Sequence, residues 1–206
     1  MFANKPIIGI IGGIGSGKSY VSRLFGELGC FVIDSDQHVT AAYKLPKVQA
    51  TLRSWWGESA ILPSGQPDRS AIAKIVFADP KQLRQLENLL HPIVARLRDE
   101  VMTKAADDPN VLAYVWDTPL LVEAGLARQC DALIYVDAPE DLRFERVRKS
   151  RGWTRQQWLQ REKSQLPLDN KRKIAEYIIR NTADVDDEVR NQVRDVLSRI
   201  LAEVRR

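Results

Sequence analysis

The stretch "IIGIIGGIGSGKSYVSRLF", Ile7 to Phe25, constrains this 206-residue chain more than any other, because four glycines fall within residues 12–17 between a β-branched run and a lysine. Gly12, Gly17, Lys18 and Ser19 satisfy the spacing G-x-x-x-x-G-K-[ST]. A loop of that kind leaves backbone N–H groups open to phosphate oxygens, and its lysine reaches the terminal phosphates. Ile7 to Ile11 reads as a short buried strand, while Val21, Leu24, Phe25 and Leu28 recur at helical spacing up to Gly29. The loop therefore joins a strand to a helix N-terminus, where the dipole and the unpaired amides favour an anion. A glycine turn matching the spacing by accident would have no reason to carry those flanks.

Length and composition, with 44% hydrophobic and 28% charged residues, suit one α/β core carrying insertions. No apolar run approaches the roughly 20 residues that span a bilayer, and the start "MFANKPII" lacks a signal-peptide pattern, so a cytoplasmic protein with no membrane partner is expected. Cys30 and Cys130 lie beside apolar segments with no second Cys or His at metal-ligand spacing, and both read as buried free thiols. The net charge of +4 is unevenly placed. Residues 140–180 hold twelve Lys and Arg against six acids, an excess larger than that of the whole chain. Such a segment serves either as a solvated helical face or as a source of arginines that close over phosphates.

Strands alternate with helices along the chain. Cys30 to Ile33 reads as a strand ending in Asp34, Val111 to Trp116 as one ending in Asp117, and Ala132 to Val136 as one ending in Asp137. Strands separated by helices pair in parallel, and ligands then sit beyond their carboxyl ends, where these acids would surround the phosphate loop. From Val185 to Val204, the residues Val189, Val193, Val196, Leu197, Ile200 and Leu201 share one helical face that reads as packing against the sheet. Two segments stand outside the alternation: Thr40 to Asp108, helical with a turn-rich break at "ILPSGQPDR", and the basic segment Glu140 to Arg180.

No Asp has a Gly three residues later, and Asn170-Lys171 is followed by Arg172-Lys173, so the D-x-x-G and N-K-x-D elements of a switch GTPase are missing. An acid-tipped second strand near the loop instead suits a small-molecule kinase, in which a carboxylate accepts a hydroxyl proton as the γ-phosphoryl arrives in line. Asp34 and Asp36 both fit that role, since residues i and i+2 of an extended segment point to the same side.

"GGIGSGKS", "VIDSD", "DRSAIAKIVFADP", "LLHP", "DTPLLVEAG", "CDALIYVDAP" and "REKSQ", in this order and at these separations, resemble dephospho-coenzyme A kinase along nearly the whole chain. The resemblance implies transfer of the ATP γ-phosphate to the ribose 3'-hydroxyl of dephospho-coenzyme A, the last step of coenzyme A synthesis. It implies a P-loop NTPase fold of the α/β class, with a five-stranded parallel sheet flanked by helices. One domain would comprise a core (about 1–39, 109–139 and 181–206), a helical substrate-binding insertion (about 40–108) and a basic lid (about 140–180).

Residue by residue, the resemblance implies that Asp36 is the catalytic acid of the D-x-D motif and that Lys18 and Arg146 act with it. Gly13, Ile14, Gly15, Ser16, Gly17, Lys18, Ser19 and Tyr20 would wrap the ATP phosphates, and Asn181 would contact the adenine. Ser19 and Asp117 would serve Mg²⁺. Arg69, His91, Pro119, Leu120 and Glu123, with Asp36, would surround the acceptor. The chain departs from the family pattern in "RVRKSRGWT", where Ser150 stands four residues after Arg146 in place of a second arginine and Arg151 follows it, and in "AEYIIRN", where Glu176 replaces an aspartate. A nucleoside or nucleoside-monophosphate kinase would use the same core. No nucleic-acid partner is expected, because Trp153 and Trp158 are not regularly interleaved with the basic residues and aromatics make up only 7% of the chain.

Overall fold

The computed structural model describes residues 1–182 and 186–204, apart from the side chain of Asp186, so Val185 of the anticipated last helix lies outside the described residues. The chain divides into two compact units, Met1–Asp34 with Met102–Arg206, and Ser35–Val101.

The first unit is built on five parallel strands: β1 (Ile7–Gly12), β2 (Phe31–Asp34), β3 (Tyr114–Asp117), β4 (Ala132–Asp137) and β5 (Tyr177–Arg180), in the order β2-β3-β1-β4-β5. Every residue of β1 is buried, as a central strand covered on both faces demands. From β1 the chain runs to one side of the sheet to form β2, and after β3 it crosses β1 to form β4. That reversal opens a crevice beyond the carboxyl end of β1, where the phosphate loop begins. Ile10 pairs with Asp117, and Asp34 pairs with Asp117 across β2 and β3.

Helix α1 (Lys18–Glu27) and the last helix, α9 (Asp186–Val204), cover the sheet. Val21, Leu24 and Phe25 of α1 share a buried cluster with Val189, Val193, Val196, Leu197 and Ile200 of α9 and with strand residues Ile8, Val115 and Ile134. Helices α6 (Glu140–Arg151), α7 (Arg155–Lys163) and α8 (Leu168–Lys173) carry the basic segment.

Three boundaries differ from the sequence reading. β2 begins at Phe31 and β3 at Tyr114, because Leu112 N donates to Gly29 O and Phe31 N to Ala113 O before the regular ladder starts. The fifth strand occupies Tyr177–Arg180, inside the basic segment, and its pattern is weak because Ile179 is buried while Ile178 is 38% exposed at the sheet edge. Cys130 is only partly buried, unlike Cys30, whose thiol is pushed up to about 12 by burial.

The second unit contains α2 (Ser35–Tyr43), α3 (Pro46–Trp56), α4 (Arg69–Ala78) and most of α5 (Pro80–Lys104). Val48, Leu52, Ile72, Val76 and Leu86 form its core. The "ILPSGQPDR" break is a turn closed by an Ile61–Pro67 bridge, and Asp68 caps α4 by accepting from Ser70 N and Ala71 N at 2.9 and 3.0 Å.

Ile200 is 2% exposed within the α1–α9–sheet core, so Ile200→Ala should lower unfolding free energy by about 2–5 kcal/mol in urea titrations. A loss well below 1 kcal/mol would mean that α9 contributes little to that core.

Candidate active site

β1 delivers Gly12 and α1 opens at Lys18, so residues 13–17 must turn through the gap with almost no side-chain volume. Gly15 (φ +84°) and Gly17 (φ +91°) take the left-handed conformation that strains any residue with a Cβ. A Cβ on Gly15 would also strike the Arg143 carbonyl, and one on Gly17 the Asn181 side-chain amide. The glycines thus allow α6 and Asn181 to close directly on the loop.

The loop carbonyls are engaged by side chains. Ser16 O accepts from Asn181 Nδ2 at 2.8 Å and from Arg146 Nη1 at 3.3 Å, and Arg146 Nη2 donates to Asn181 Oδ1 at 3.1 Å. Ile14 O accepts from Trp158 Nε1 at 3.3 Å and Arg143 Nη1 at 3.4 Å. Lys18 Nζ lies back on its own loop, donating to Gly13 O at 3.0 Å and Gly12 O at 3.2 Å. Ser19 is exposed in the first turn of α1, and Tyr20 carries the Arg23 guanidinium over its ring.

Burial lowers the Lys18 ammonium to about 8; the charges of Lys171 and Arg151 add to that shift, while Asp117 and Glu123 oppose it. Lys171 is itself buried, paired with Glu123 Oε1 at 2.8 Å and donating to Gln165 Oε1 at 3.0 Å. Glu123 also accepts from Leu166 N at 2.9 Å. Burial pushes the Glu123 carboxyl up, but the Lys171 and backbone hydrogen bonds outweigh it and hold the group below its ordinary value. Glu123, expected beside an acceptor, is here the counter-ion of a buried lysine.

Asp117 and Asp34 end adjacent strands in register, close to the loop, whereas the third strand-end acid, Asp137, pairs with Arg172 at 3.0 Å. Ser19, Asp117 and Asp34 present hard oxygen donors, the ligand type Mg²⁺ takes alongside phosphates and water. The premise that Asp34 and Asp36 share an extended segment fails: β2 stops at Asp34 and α2 starts at Ser35, which puts Asp36 in the first turn of a helix, where an acid also complements the dipole. Pro119 and Leu120 are exposed just beyond β3, while Leu121 is core.

Within the second unit, Arg69 opens α4, donates to Thr40 Oγ1 at 3.2 Å and lies 5.4 Å from the Tyr43 ring centroid, so α2 and α4 meet at this arginine. His91 is exposed in mid-α5, beside the internal Pro92. In the basic segment, Ser150 Oγ donates to Arg146 O at 2.7 Å, a bond internal to the helix. Arg151 closes α6 with its guanidinium 4.9 Å from the Trp153 ring, which Arg161 approaches to 4.2 Å. Glu176 accepts from Leu133 N at 2.7 Å, which ties β5 to β4. Sequence reasoning gave no role to Lys171, Arg143, Trp158 and Glu162; the signals near them were the charge excess of residues 140–180 and, for Glu162, the "REKSQ" stretch.

A family model described as dephospho-CoA kinase matches residues 6–187. A dephospho-CoA kinase of Leptospira interrogans is 33% identical over 201 residues, covering 96% of this chain and 94% of that protein. The crystal structure of TT1252 from Thermus thermophilus superposes with a TM-score of 0.82 at 34% identity, covering 97% of each chain. A dephospho-CoA kinase structure from Campylobacter jejuni shares the fold with a TM-score of 0.67 at 23% identity, covering 97% of this chain and 98% of that one.

The Lys171–Glu123 pair generates a stability prediction. The Glu123 carboxyl is lowered in the fold, so its contribution is fully present above the unfolded-chain value of roughly 4.3 and fades as pH falls through the folded value. Glu123→Gln should therefore cost about 1–3 kcal/mol at pH 7 and flatten the acid limb of stability, measured by thermal melts between pH 3 and 7. A variant that melts like the parent across that range would show that the pair stabilises nothing.

Proposed function

The chain belongs to the dephospho-CoA kinase family, and we propose that it moves the γ-phosphate of ATP to the ribose 3'-hydroxyl of dephospho-coenzyme A with the residues described above. The observation that carries this reading is a glycine loop whose carbonyls are held by side chains while its lysine lies at the helix mouth. The N–H groups of residues 13–20 then bind the α-, β- and γ-phosphates, and the α1 N-terminus adds its dipole. Lys18 gives up the carbonyls of Gly12 and Gly13 for β- and γ-phosphate oxygens and meets the charge that shifts during transfer.

Asp36 accepts the 3'-hydroxyl proton, exposed on the first turn of α2. Arg69, His91, Pro119 and Leu120 contact the acceptor. Glu123 acts through its hold on Lys171. Arg146 and Asn181 brace the loop and border the nucleotide, and Arg151, whose charge already acts on Lys18, takes the lid position that Ser150 cannot fill. Ser19 would hold Mg²⁺, with Asp117 as a second residue serving it, and the ion would neutralise phosphate charge.

Incubation with ATP and, in turn, dephospho-coenzyme A, nucleosides and nucleoside monophosphates tests the acceptor, and turnover on the last two alone would overturn the reading. Lys18→Ala should reduce kcat/KM about 10²–10³-fold with the fold retained by circular dichroism. Asp36→Asn keeps the side-chain size but removes the base, so single-turnover transfer should fall about 10²–10⁴-fold with ATP affinity little changed, whereas Asp34→Asn should be milder. A fully active Asp36→Asn would move the base to another carboxylate.

A further inference from the structure

The Ile14 carbonyl is held by one side chain from α6 and one from α7, Arg143 and Trp158. Neither side chain is a surface group. Trp158 is fully buried, and Arg143 is 5% exposed, ion-paired with Glu162 and stacked 5.0 Å from the Trp158 ring centroid. Glu162 pairs with the guanidinium and the Trp158 ring lies against it, so Arg143 is held between the two and against the loop.

A planar trans peptide points its C=O and its N–H in opposite directions. Fixing Ile14 O against Arg143 and Trp158 therefore turns the N–H of Gly15 the other way, toward the inside of the loop. The same holds one step on: Ser16 O, fixed by Asn181 and Arg146, turns Gly17 N–H inward. The Ile14–Gly15 peptide needs such an anchor, because glycine has no Cβ to oppose a flip that would present a carbonyl oxygen to the phosphates.

We propose that Arg143 and Trp158 are positioning residues for phosphoryl transfer, which hold the Ile14–Gly15 peptide with its N–H aimed at the bound triphosphate. The proposal rests on the kinase reading above and adds two residues outside the loop to its nucleotide machinery. A loop that flips part of the time binds ATP more weakly in proportion to the fraction misoriented, while saturating ATP selects the correct form again. The expected signature is therefore a raised KM and Kd for ATP with kcat retained.

Trp158→Phe removes the N–H donor but keeps a ring in the buried space, and Arg143→Gln removes the guanidinium; Arg143→Lys, which keeps a charge opposite Glu162, replaces it if the Gln variant does not fold. Each should raise KM and calorimetric Kd for ATP about three- to tenfold, with kcat within twofold and the KM for dephospho-coenzyme A unchanged. A merely structural role would lower melting temperature and the active fraction, hence apparent kcat, and leave KM for ATP where it was. Unchanged Kd and KM for ATP in the folded variants overturn the proposal, whatever happens to kcat. Calorimetry with ATP alone needs no acceptor, so parent protein that binds ATP but leaves dephospho-coenzyme A unphosphorylated would sink the kinase reading while the Kd comparison still decides this one.

Discussion

Every backbone N–H that a phosphate loop turns inward leaves a carbonyl turned outward, and a carbonyl beside a packed sheet needs a donor. That requirement organises the first unit. Lys18 supplies Gly12 and Gly13, Asn181 and Arg146 supply Ser16, and Trp158 with Arg143 supply Ile14. Asn181 directly follows β5 and donates its own N–H to Asp137 O at 2.7 Å, so the edge strand has a task beyond completing the sheet. It brings a side-chain amide to the carbonyl that α1 cannot reach.

The same arrangement concentrates positive charge. The charges of Lys171 and Arg151 act on Lys18, and Arg146 is bound to the loop. Burial is the main reason Lys18 is lowered, with the like charges of Lys171 and Arg151 adding to it, and the buried Lys171 takes a partner in Glu123. Arg143 has Glu162 for the same reason. A triphosphate entering this field gains from charges already gathered and oriented, so part of the cost of assembling them is met by folding rather than by binding. The basic excess of residues 140–180 thus has two fates: exposed residues such as Arg148 pair along their own helix, and inward ones serve the loop.

How much of this is legible in the sequence depends on the range of the interaction. The loop is a local motif, and its strand and helix flanks follow from neighbouring residues, so β1, the loop and α1 can be read directly, as can the apolar face of α9. β5 hides because an edge strand needs apolar residues on one side only, and "YIIR" sits in charged surroundings. Glu123 shows a contact that local sequence does not announce, since its partner, Lys171, is 48 positions away. The Ile14 anchor is harder still, since it depends on Arg143 and Trp158 folding back from two successive helices across more than 120 residues of chain. The Asp34–Asp36 relation is hidden for a different reason: period-two alternation says nothing about where a strand stops, and β2 ends at Asp34 while α2 begins at Ser35.

That change of secondary structure bears on how two acids so close in sequence come to differ. The boundary between the two compact units falls between Asp34 and Ser35. Asp34 is therefore fixed in the sheet, in register with Asp117 and part of the body that carries the phosphate loop. Asp36 belongs to α2, in the body that carries Arg69 and His91, and α2 meets Arg69 through Thr40 and Tyr43. A group that serves the metal-bound triphosphate has to keep its place relative to the loop, and a strand end does so because ladder hydrogen bonds hold its backbone on the sheet. On the function proposed above, a group that takes a proton from the acceptor has to keep its place relative to the acceptor's other contacts, and a helix in the unit that carries Arg69 and His91 would do that. A single residue, Ser35, separates the two acids, so the D-x-D spacing places one carboxylate in each unit.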